Sequence, residues 1–313
     1  MSFRISKRIY NGIDLIDLEN EKSGVRVSIA PDFGAILHAF EIPLGGTPYN
    51  IISNYASLEE LQSGLNQSYR SSKLSPFACR IKDARYLFEG KEYTFDNKFP
   101  DGSAIHGLLF NKKFTLTRQT VTEFMASIEL NYTYNAEDAG YPFNYTCTVR
   151  YSLLPDATLQ IQTELSNTSA CNIPIADGWH PYFTLGGSAD EWTLQFNSSR
   201  QLEYDADLLP TGNQLTDTRF EKGALLKGIE LDNSFELEGD TAFCMLSNAK
   251  WQLRISPDKH YPILQIYIPP KRNSIAIENL SGAPDNFNNQ IHLLHIAPGE
   301  ERSFTTSYTV KAL

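Results

Sequence analysis

Hydrophobic and polar residues alternate along much of this chain with a period of two. In the segment TLQIQTEL (158–165), Leu159, Ile161 and Leu165 fall on one side of an extended chain, and polar residues fall on the other. The same alternation recurs at residues 128–134, 145–151, 251–255 and 304–310. Because successive side chains of a strand point to opposite faces of its sheet, the pattern predicts half-buried strands of antiparallel sheets.

Two further patterns predict local elements between these strands. The segment RYLFEGKEYTF predicts a β-hairpin, with Glu89 and Gly90 in the turn between two aromatic-rich arms. Helical spacing is confined to residues 57–65, where Ser57 is the predicted N-cap and Glu60 takes the matching position of a capping box. Because strands do not alternate with helices, a Rossmann fold or an α/β barrel is disfavoured. The many short strands predict an all-β fold, either a sandwich or a barrel.

One long stretch departs from the strand pattern. Residues 205–237 are rich in Gly, Pro and Asp, and this composition predicts a long excursion from the sheet. No change of composition elsewhere marks a linker, and large β folds often run long as one unit. Residues 1–313 are therefore predicted to form a single domain.

The net charge of the chain argues against some classes of binding partner. With 27 Lys and Arg against 37 Asp and Glu, the formal net charge is −10. Such an acidic chain lacks the basic surface that recognises a nucleic-acid backbone, so no nucleic-acid partner is expected. No apolar run approaches the length of a transmembrane helix, and none follows the basic residues near the N-terminus. We therefore expect no membrane partner and a cytoplasmic location.

The sequence carries no motif for a cofactor or a metal. It contains no G-x-G-x-x-G fingerprint, no P-loop, no H-E-x-x-H and no G-x-S-x-G. His292 and His295 would point to opposite faces of a strand, so they are not expected to share a metal. The cysteines are widely spaced and are expected to be reduced thiols; they are Cys79, Cys147, Cys171 and Cys244.

Residues with chemical potential gather in four regions of the chain. These are PFACRI (76–81), FPDGSAIHG (99–107), DGWHPYF (177–183), and IAIEN (275–279) followed by GAPDNFN (282–288). Taken singly, each functional side chain has an ordinary structural explanation. Arg80 would pair with a surface acid, His106 would sit in a turn, and His180 would be a core histidine. Glu278 would be a solvated acid at a strand end, and Asp232 would open a turn.

Taken together, these regions resemble the aldose 1-epimerase (galactose mutarotase) family. In that family an Asn-Arg-Ile-like segment is followed by His-Gly, His-x-Tyr-Phe, a sugar-binding Asp, and a Glu that precedes a Pro-Asp stretch. The matching residues here are, in the same order, Arg80-Ile81, His106-Gly107, His180-Pro181-Tyr182-Phe183, Asp232, and Glu278 before Pro284-Asp285. The resemblance covers most of the chain.

The resemblance implies a fold and a reaction. The fold is a large antiparallel β-sandwich, the galactose mutarotase-like supersandwich, and the reaction interconverts the α and β anomers of a hexose. Ring opening takes a proton from the anomeric hydroxyl and gives one to the ring oxygen, so the resemblance implies no cofactor and no metal. By resemblance, Glu278 is the general base and His180 the general acid. Arg80, His106 and Asp232 are the substrate-binding residues.

Two departures from the family pattern bear on the substrate. Cys79 stands where the family usually has Asn before the Arg. The sequence Trp-His-Pro-Tyr-Phe around His180 is closer to broader mutarotase-like relatives, which include hexose-phosphate epimerases. Trp179 and Tyr182 are candidates for stacking on the sugar. The predicted partner is a small-molecule sugar, a hexose, bound by a monomer or weak dimer.

Three other functions compete with this interpretation. A hexose-6-phosphate 1-epimerase needs cations facing the phosphate, and the candidates are Lys73, Lys82, Arg85, Lys112 and Lys113. A non-catalytic carbohydrate-binding protein on the same fold would have no need of both Glu278 and His180. A glycoside hydrolase usually needs two carboxylates flanking one bond, and the candidates here are Glu278 and Asp232.

Overall fold

Antiparallel strands account for most of the regular structure of this chain. The computed structural model describes residues 2–239 and 241–313. Every strand pair that these residues form is antiparallel. The all-β antiparallel fold predicted from the alternating pattern is confirmed.

The first sheet is formed within residues 3–50. It holds five strands in sequential order: β1 (Phe3–Tyr10), β2 (Ile13–Asn20), β3 (Val25–Ala30), β4 (Ile36–Leu44) and β5 (Thr47–Asn50). Alternate apolar residues of β3 and β4, such as Val27 and Phe40, are fully buried in the main core. One face of the sheet therefore packs on the main core, and Leu15, Ala30 and Ile36 on the other face join a smaller apolar cluster with Leu61 and Leu65.

A single helix of three turns, α1 (Leu58–Ser68), follows this sheet. The predicted N-cap is confirmed, because the Ser57 hydroxyl accepts a hydrogen bond from the Glu60 backbone N–H at 3.2 Å. The Glu60 carboxylate accepts instead from the Ala56 backbone N–H at 2.7 Å, one residue before the position expected for a capping box. The helix ends at Tyr69, whose backbone adopts the left-handed conformation with φ +47°. Its C-terminal end thus places Tyr69 against the site described below.

Short strands and turns follow between residues 73 and 105. They are β6 (Lys73–Leu74), β7 (Arg80–Ile81), a 3₁₀ turn (Lys82–Ala84), β8 (Arg85–Phe88), β9 (Lys91–Thr94) and β10 (Ala104–Ile105). The predicted hairpin is confirmed as the pair β8–β9. Its turn residues Glu89 and Gly90 have φ of +48° and +77°, as a two-residue turn with both central residues at positive φ requires.

The remaining strands build two large sheets and one small pair. They are β11 (Thr115–Val121), β12 (Ala126–Asn135), β13 (Asn144–Leu154), β14 (Thr158–Asn167), β15 (Ile173–Ile175), β16 (Gly178–Trp179), β17 (Tyr182–Phe183), β18 (Thr193–Phe196) and β19 (Arg200–Tyr204). They continue with β20 (Pro210–Thr216), β21 (Ala224–Leu225), β22 (Asp232–Glu236), β23 (Cys244–Ser247), β24 (Trp251–Pro257), β25 (Ile263–Tyr267), β26 (Ile275–Leu280), β27 (Leu294–Ile296) and β28 (Glu301–Ala312). A second 3₁₀ turn spans Ala189–Glu191, and a one-turn helix, α2, spans Asn286–Asn289.

The two largest sheets face each other across the core. One has nine strands in the order β11-β12-β13-β14-β28-β24-β23-β18-β21, and the other runs β20-β19-β22-β25-β26-β16-β6 with β17 beside β26. Tyr151 of the first sheet contacts Trp179 of the second with ring centroids 5.9 Å apart, and Tyr308 contacts Phe183 at 5.2 Å. This face-to-face packing is the antiparallel sandwich that the sequence predicts.

The prediction of a long excursion at residues 205–237 is partly wrong. Residues 210–216 form β20, and residues 232–236 form β22, which pairs with β25 inside the eight-stranded sheet. The error has a physical reason, because β20 is an edge strand whose residues are almost all exposed. An exposed edge strand has no buried face, so its sequence shows no alternation of apolar and polar residues.

No helix among the described residues is both long enough and apolar enough to cross a bilayer.

Candidate active site

The outer face of the eight-stranded sheet carries a row of polar side chains. On β26, Ile275 and Ile277 point into the core, so Glu278 between Ile277 and Asn279 points to the opposite face. Glu278 lies opposite Gln265 of β25, and Gln265 lies opposite Ser234 of β22. Three neighbouring strands therefore present a carboxyl, an amide and a hydroxyl side by side.

A cavity of about 260 Å³ lies over this row and is called the reacting cavity below. All five site residues predicted from the sequence line it: Arg80, His106, His180, Asp232 and Glu278. They come from segments far apart in the chain, and the fold brings them together. Residues that the sequence did not single out complete the wall, among them Gln67, Tyr69, Tyr204, Gln265 and Tyr267.

His180 is held by backbone hydrogen bonds to the segment that precedes β6. Its N–H donates to the Ser72 carbonyl at 3.1 Å, and its carbonyl accepts from the Ser71 N–H at 2.8 Å. Its ring stacks on Tyr182 with centroids 4.9 Å apart and planes 15° from parallel. The backbone hydrogen bonds therefore fix the position of His180, and the stacking on Tyr182 fixes the orientation of its imidazole ring.

His180 and Glu278 form the central contact of the cavity. The His180 Nε2 atom lies 3.4 Å from the Glu278 Oε1 atom, and the Glu278 side chain is only 2% exposed. Burial, with a smaller effect of Asp232, raises the pKa of Glu278 well above its usual range. Burial lowers the pKa of His180 to about 4. Both shifts disfavour the charged form, so burial favours a proton on Glu278 over a proton on His180.

His106 lies next to His180 in the wall of the cavity. The two imidazole centroids are 4.8 Å apart, and the ring centroid of Tyr69 lies 4.6 Å from that of His106. Burial, followed by the nearby His180 and Arg80, lowers the pKa of His106 well below its usual range. A neutral His106 can offer a hydrogen-bond donor and an acceptor to a sugar.

The His106-Gly107 pair is explained by a close approach of the backbone. Both residues have positive φ, +58° and +77°. A Cβ atom on Gly107 would lie 2.4 Å from the Ser75 carbonyl oxygen, which accepts hydrogen bonds from the N–H groups of Leu108 and Leu109. Only glycine fits there, and this turn aims the preceding imidazole into the cavity.

Arg80 is oriented by groups on the 99–107 segment. Its guanidinium donates to the Asp101 carboxylate and approaches the Ser103 hydroxyl at 3.4 Å, and its side chain is 23% exposed. The Ser103 N–H and hydroxyl in turn donate to Asp101 at 3.0 and 2.6 Å. The cation is thus held at the rim of the cavity and is neutralised by one acid.

Asp232 is fixed by a chain of side-chain hydrogen bonds. The Gln265 amide donates to the Asp232 carboxylate at 2.8 Å, while the Gln265 carbonyl accepts from Ser234 at 2.5 Å and from Tyr204 at 3.1 Å. Burial raises the pKa of Asp232, although Arg80 and Gln265 act against this. A polar Gln within the apolar run ILQIY is the one signal in the sequence that points to this chain.

The two aromatic residues predicted to stack on the sugar lie in different environments. Tyr182 lines the reacting cavity. Trp179 does not, because it points into the core, where the Lys73 ammonium lies 4.5 Å from its ring centroid. Neighbouring residues of a strand face opposite sides, so Trp179 and His180 could not both reach the cavity.

Cys79 also lines the cavity. It has a left-handed backbone, with φ +52°, and it is a free thiol. Burial, together with Glu278 and Asp232, raises the pKa of the thiol well above its usual range. The uncharged thiol places a weakly polar group where the related family has an amide.

One grouping among residues 2–239 and 241–313 could hold a metal ion, and it lies in this cavity. Single ligand atoms of His106, His180 and Glu278 lie within 4.8 Å of one another. Two imidazoles and a carboxylate suit a transition metal, and they equally suit acid–base chemistry. The sequence-based expectation of no metal stays a prediction.

The candidate phosphate-binding cations do not converge on the site. Lys73 is fully buried against Asp177 at 2.5 Å. The other four lie beside acids: Lys82 with Asp207, Arg85 with Asp83, Lys112 with Glu137, and Lys113 with Asp32. Each is therefore wholly or partly neutralised by a nearby carboxylate.

Comparisons with known proteins show which proteins this chain resembles. The sequence model of one family, described as aldose 1-epimerase, matches residues 14–309. An uncharacterized protein of Escherichia coli K12, YihR, is 27% identical over 72% of this chain and 74% of its own length. The maltose epimerase of Levilactobacillus brevis is 26% identical over 78% of this chain and 71% of its own length. A galactose mutarotase-like protein from Clostridium acetobutylicum shares the fold, with a TM-score of 0.87, 18% identity, and coverage of 100% of this chain and 99% of its own.

Proposed function

This chain belongs to the aldose 1-epimerase family of isomerases, and from that premise we propose that it interconverts the α and β anomers of a free hexose. The reaction opens the sugar ring by acid–base catalysis and closes it on the other face of C1. One observation supports the proposal above all others. The buried side chains of Glu278 and His180 meet at 3.4 Å in a cavity that is also lined by Arg80, His106 and Asp232.

Ring opening needs Glu278 ionised and His180 protonated, and one proton passed from Glu278 to His180 across their 3.4 Å contact supplies that state. The anomeric hydroxyl loses its proton to Glu278 while the C1–O5 bond breaks and the C1 carbonyl forms. The ring oxygen takes a proton from His180, so the pair still holds one proton after the step. Rotation about C1–C2 followed by the reverse proton movements closes the other anomer. The pair returns to its starting state without any added acid or base.

The other polar residues bind and orient the sugar in this proposal. Arg80 and neutral His106 donate hydrogen bonds to sugar oxygens, and Arg80 places positive charge near oxygens that gain charge. Asp232, held by Gln265, accepts from a ring hydroxyl. Tyr182 stacks on the imidazole of His180 and lines the cavity beside it. These contacts hold the anomeric centre between acid and base.

The direct test is the rate at which freshly dissolved α-D-glucose and α-D-galactose reach anomeric equilibrium, followed by polarimetry. We expect the protein to accelerate at least one of them above the spontaneous rate. Hexose 6-phosphates are measured in parallel. Acceleration confined to the phosphorylated sugars would replace a free hexose by a sugar phosphate. No acceleration of any of these sugars would favour a non-catalytic carbohydrate-binding protein.

The neutralised cations support a free sugar over a sugar phosphate. The cavity itself carries the carboxyl groups of Asp232 and Glu278 and one guanidinium, which Asp101 already neutralises. A phosphate dianion would be bound most tightly by a cluster of unpaired cations. We therefore expect glucose 6-phosphate to have a lower kcat/KM than glucose.

The pH dependence of kcat/KM reports the protonation state of the Glu278–His180 pair. The pair is competent with one proton, and it gains a second when His180 is protonated at its lowered pKa of about 4. We therefore expect kcat/KM to fall as pH decreases through about 4. The rate is measured by polarimetry in buffers of constant ionic strength, with the spontaneous rate subtracted at each pH. A loss of half the activity near the ordinary histidine pKa of about 6.5 would contradict the proposed pair.

A further inference from the structure

A buried segment leads along the chain from Glu278 towards α2. After β26, residues 281–287 are all buried. Ser281 fixes the start of this segment to the residue three positions before His180. Its N–H donates to the Asp177 carbonyl at 2.8 Å, and its hydroxyl accepts from the Asp177 N–H at 2.8 Å. The segment is therefore held in place relative to both Glu278 and His180.

Asp285, within this segment, holds the backbone of β7 through two hydrogen bonds. The Asp285 N–H donates to the Arg80 carbonyl at 2.7 Å, and the Asp285 Oδ1 atom accepts from the Lys82 N–H at 2.9 Å. These two bonds lie on either side of Ile81. The other edge of β7 pairs with β10. Asp285 therefore supplies the donor and the acceptor that a neighbouring strand would offer to this edge of β7.

The position of Arg80 relative to Glu278 depends on contacts of this kind. The pair β7–β10 is a sheet of its own, and neither strand belongs to the eight-stranded sheet that contains β26. The register of the larger sheet therefore does not set the distance between Arg80 and Glu278. Asp285 lies on the same buried segment that follows Glu278, and it bonds directly to the backbone of Arg80. It thus links the two residues by a short, buried route.

The backbone around Arg80 has strained conformations that need such support. Cys79 and Ala84 have φ of +52° and +55°, although neither is glycine. Left-handed residues of this kind persist only where surrounding contacts hold them. The Cys79 carbonyl accepts from the His106 N–H at 2.8 Å, and the bonds of Asp285 hold the stretch between the two strained residues. Without the Asp285 carboxylate, we expect this stretch to relax and Arg80 to move.

The carboxylate of Asp285 serves as a hydrogen-bond acceptor. Its Oδ1 atom also accepts from the Asn288 amide at 2.7 Å, whereas the Lys82 ammonium lies 3.6 Å from Asp207. Burial raises the pKa of Asp285, and the hydrogen bonds from the Lys82 N–H and Asn288 act against this. An asparagine side chain has the same acceptor oxygen and tolerates the φ of +61° at this position. Asparagine should therefore replace Asp285 with little loss.

From these contacts we propose that Asp285 is a positioning residue of the reacting cavity. It fixes Arg80 relative to Glu278, so that the guanidinium and the general base meet the sugar in one geometry. The inference rests on the proposed function for the roles of Arg80 and Glu278. It adds a residue that lies outside the lining of the cavity and acts through Arg80.

The test is a double-mutant cycle between Asp285 and Arg80. Asp285→Gly removes the bond to the Lys82 N–H and tolerates positive φ, and it is expected to lower kcat/KM about 10- to 100-fold. In the Arg80→Ala background the same substitution is expected to lower kcat/KM by less than about twofold, because its effect passes through Arg80. Asp285→Asn is expected to restore kcat/KM to within about threefold of wild type. An equal loss from Asp285→Gly in both backgrounds would overturn the inference.

Asp138→Gly is the control for a loss of stability. Asp138 is 8% exposed, against 7% for Asp285, and its carboxylate also accepts from two backbone N–H groups. It does not line the reacting cavity. Urea titration is expected to show a similar loss of stability in Asp138→Gly and Asp285→Gly, with wild-type kcat/KM in Asp138→Gly alone. A comparable loss of kcat/KM in both variants would assign the effect to stability and overturn the inference.

The side chain of Arg80 gives a readout that does not depend on turnover. Its Nε–H signal is identified in proton–nitrogen NMR spectra by its absence from Arg80→Ala. We expect this signal to shift or broaden in Asp285→Gly and to stay unchanged in Asp138→Gly. If wild type accelerates no sugar, the proposed function fails, and the Arg80 signal alone decides the inference. A signal that is identical in Asp285→Gly and wild type overturns the inference, whatever the rates are.

Discussion

Replacing Glu278 by glutamine is expected to lower kcat for anomer interconversion by about 10²–10⁴-fold. The amide fills the same space beside His180, but it cannot take up the proton of the anomeric hydroxyl. Burial already raises the pKa of Glu278, so the fold gains little from the charged form. We therefore expect the free energy of unfolding to be unchanged or slightly higher, measured by urea titration beside the rate.

A substitution at His180 tests the proposed general acid in the same way. His180→Ala is expected to lower kcat to a similar extent, and the double variant is expected to be no slower than the slower single variant. Residues that act as one unit show such non-additive losses. Glu164→Gln on β14 lies outside the reacting cavity and serves as a control with wild-type activity expected. Folded single variants that both turn over normally would refute the assignment of acid and base.

The largest effect on stability is expected at the buried Lys73–Asp177 ion pair. Both side chains are 0% exposed and 2.5 Å apart, and the Lys73 ammonium also donates to the Gly178 carbonyl at 3.1 Å. Tyr261 donates to the second Asp177 oxygen at 2.6 Å. Lys73→Met leaves a buried carboxyl without its cation, which typically costs about 3–5 kcal/mol. We expect a loss of this size in the free energy of unfolding.

Two further variants separate the unpaired charge from other effects of the substitution. In Lys73→Met/Asp177→Asn the amide still accepts from Tyr261, so most of the lost stability is expected to return. Lys113→Met breaks the exposed pair with Asp32, and it is expected to cost less than about 1 kcal/mol. A loss in Lys73→Met as small as that in Lys113→Met would show that the buried pair contributes little.

Much of the fold follows from local sequence patterns. The alternation at residues 158–165 predicts β14, and the Glu89-Gly90 turn predicts the β8–β9 hairpin, because in both cases neighbours in sequence determine the element. The edge strand β20 was missed because it has no buried face. Cytoplasmic location, a single domain and a monomer or weak dimer stay predictions from the sequence.

The candidate site is harder to predict from local sequence patterns than the fold is. Single residues such as Arg80 and Asp232 carried no distinctive signal, and only their order along the chain suggested a common cavity. Gln265 is not predicted as a site residue, because its role depends on strand register. It lies opposite Glu278 of the neighbouring strand β26 and donates a hydrogen bond to Asp232. Register between distant strands is a property of the assembled sheet, so the sequence of one strand does not reveal it.

The position of β28 has a consequence for folding during synthesis. This strand lies between β14 and β24, so it joins two halves of the nine-stranded sheet that do not otherwise touch through backbone hydrogen bonds. Glu301 of β28 follows Asn167 of β14 by 134 residues, which a ribosome adds in about 7–27 s. Throughout that interval β14 presents an unpaired edge of alternating apolar residues. The nascent chain is then open to association with other strands, and chaperone protection would matter most during these seconds.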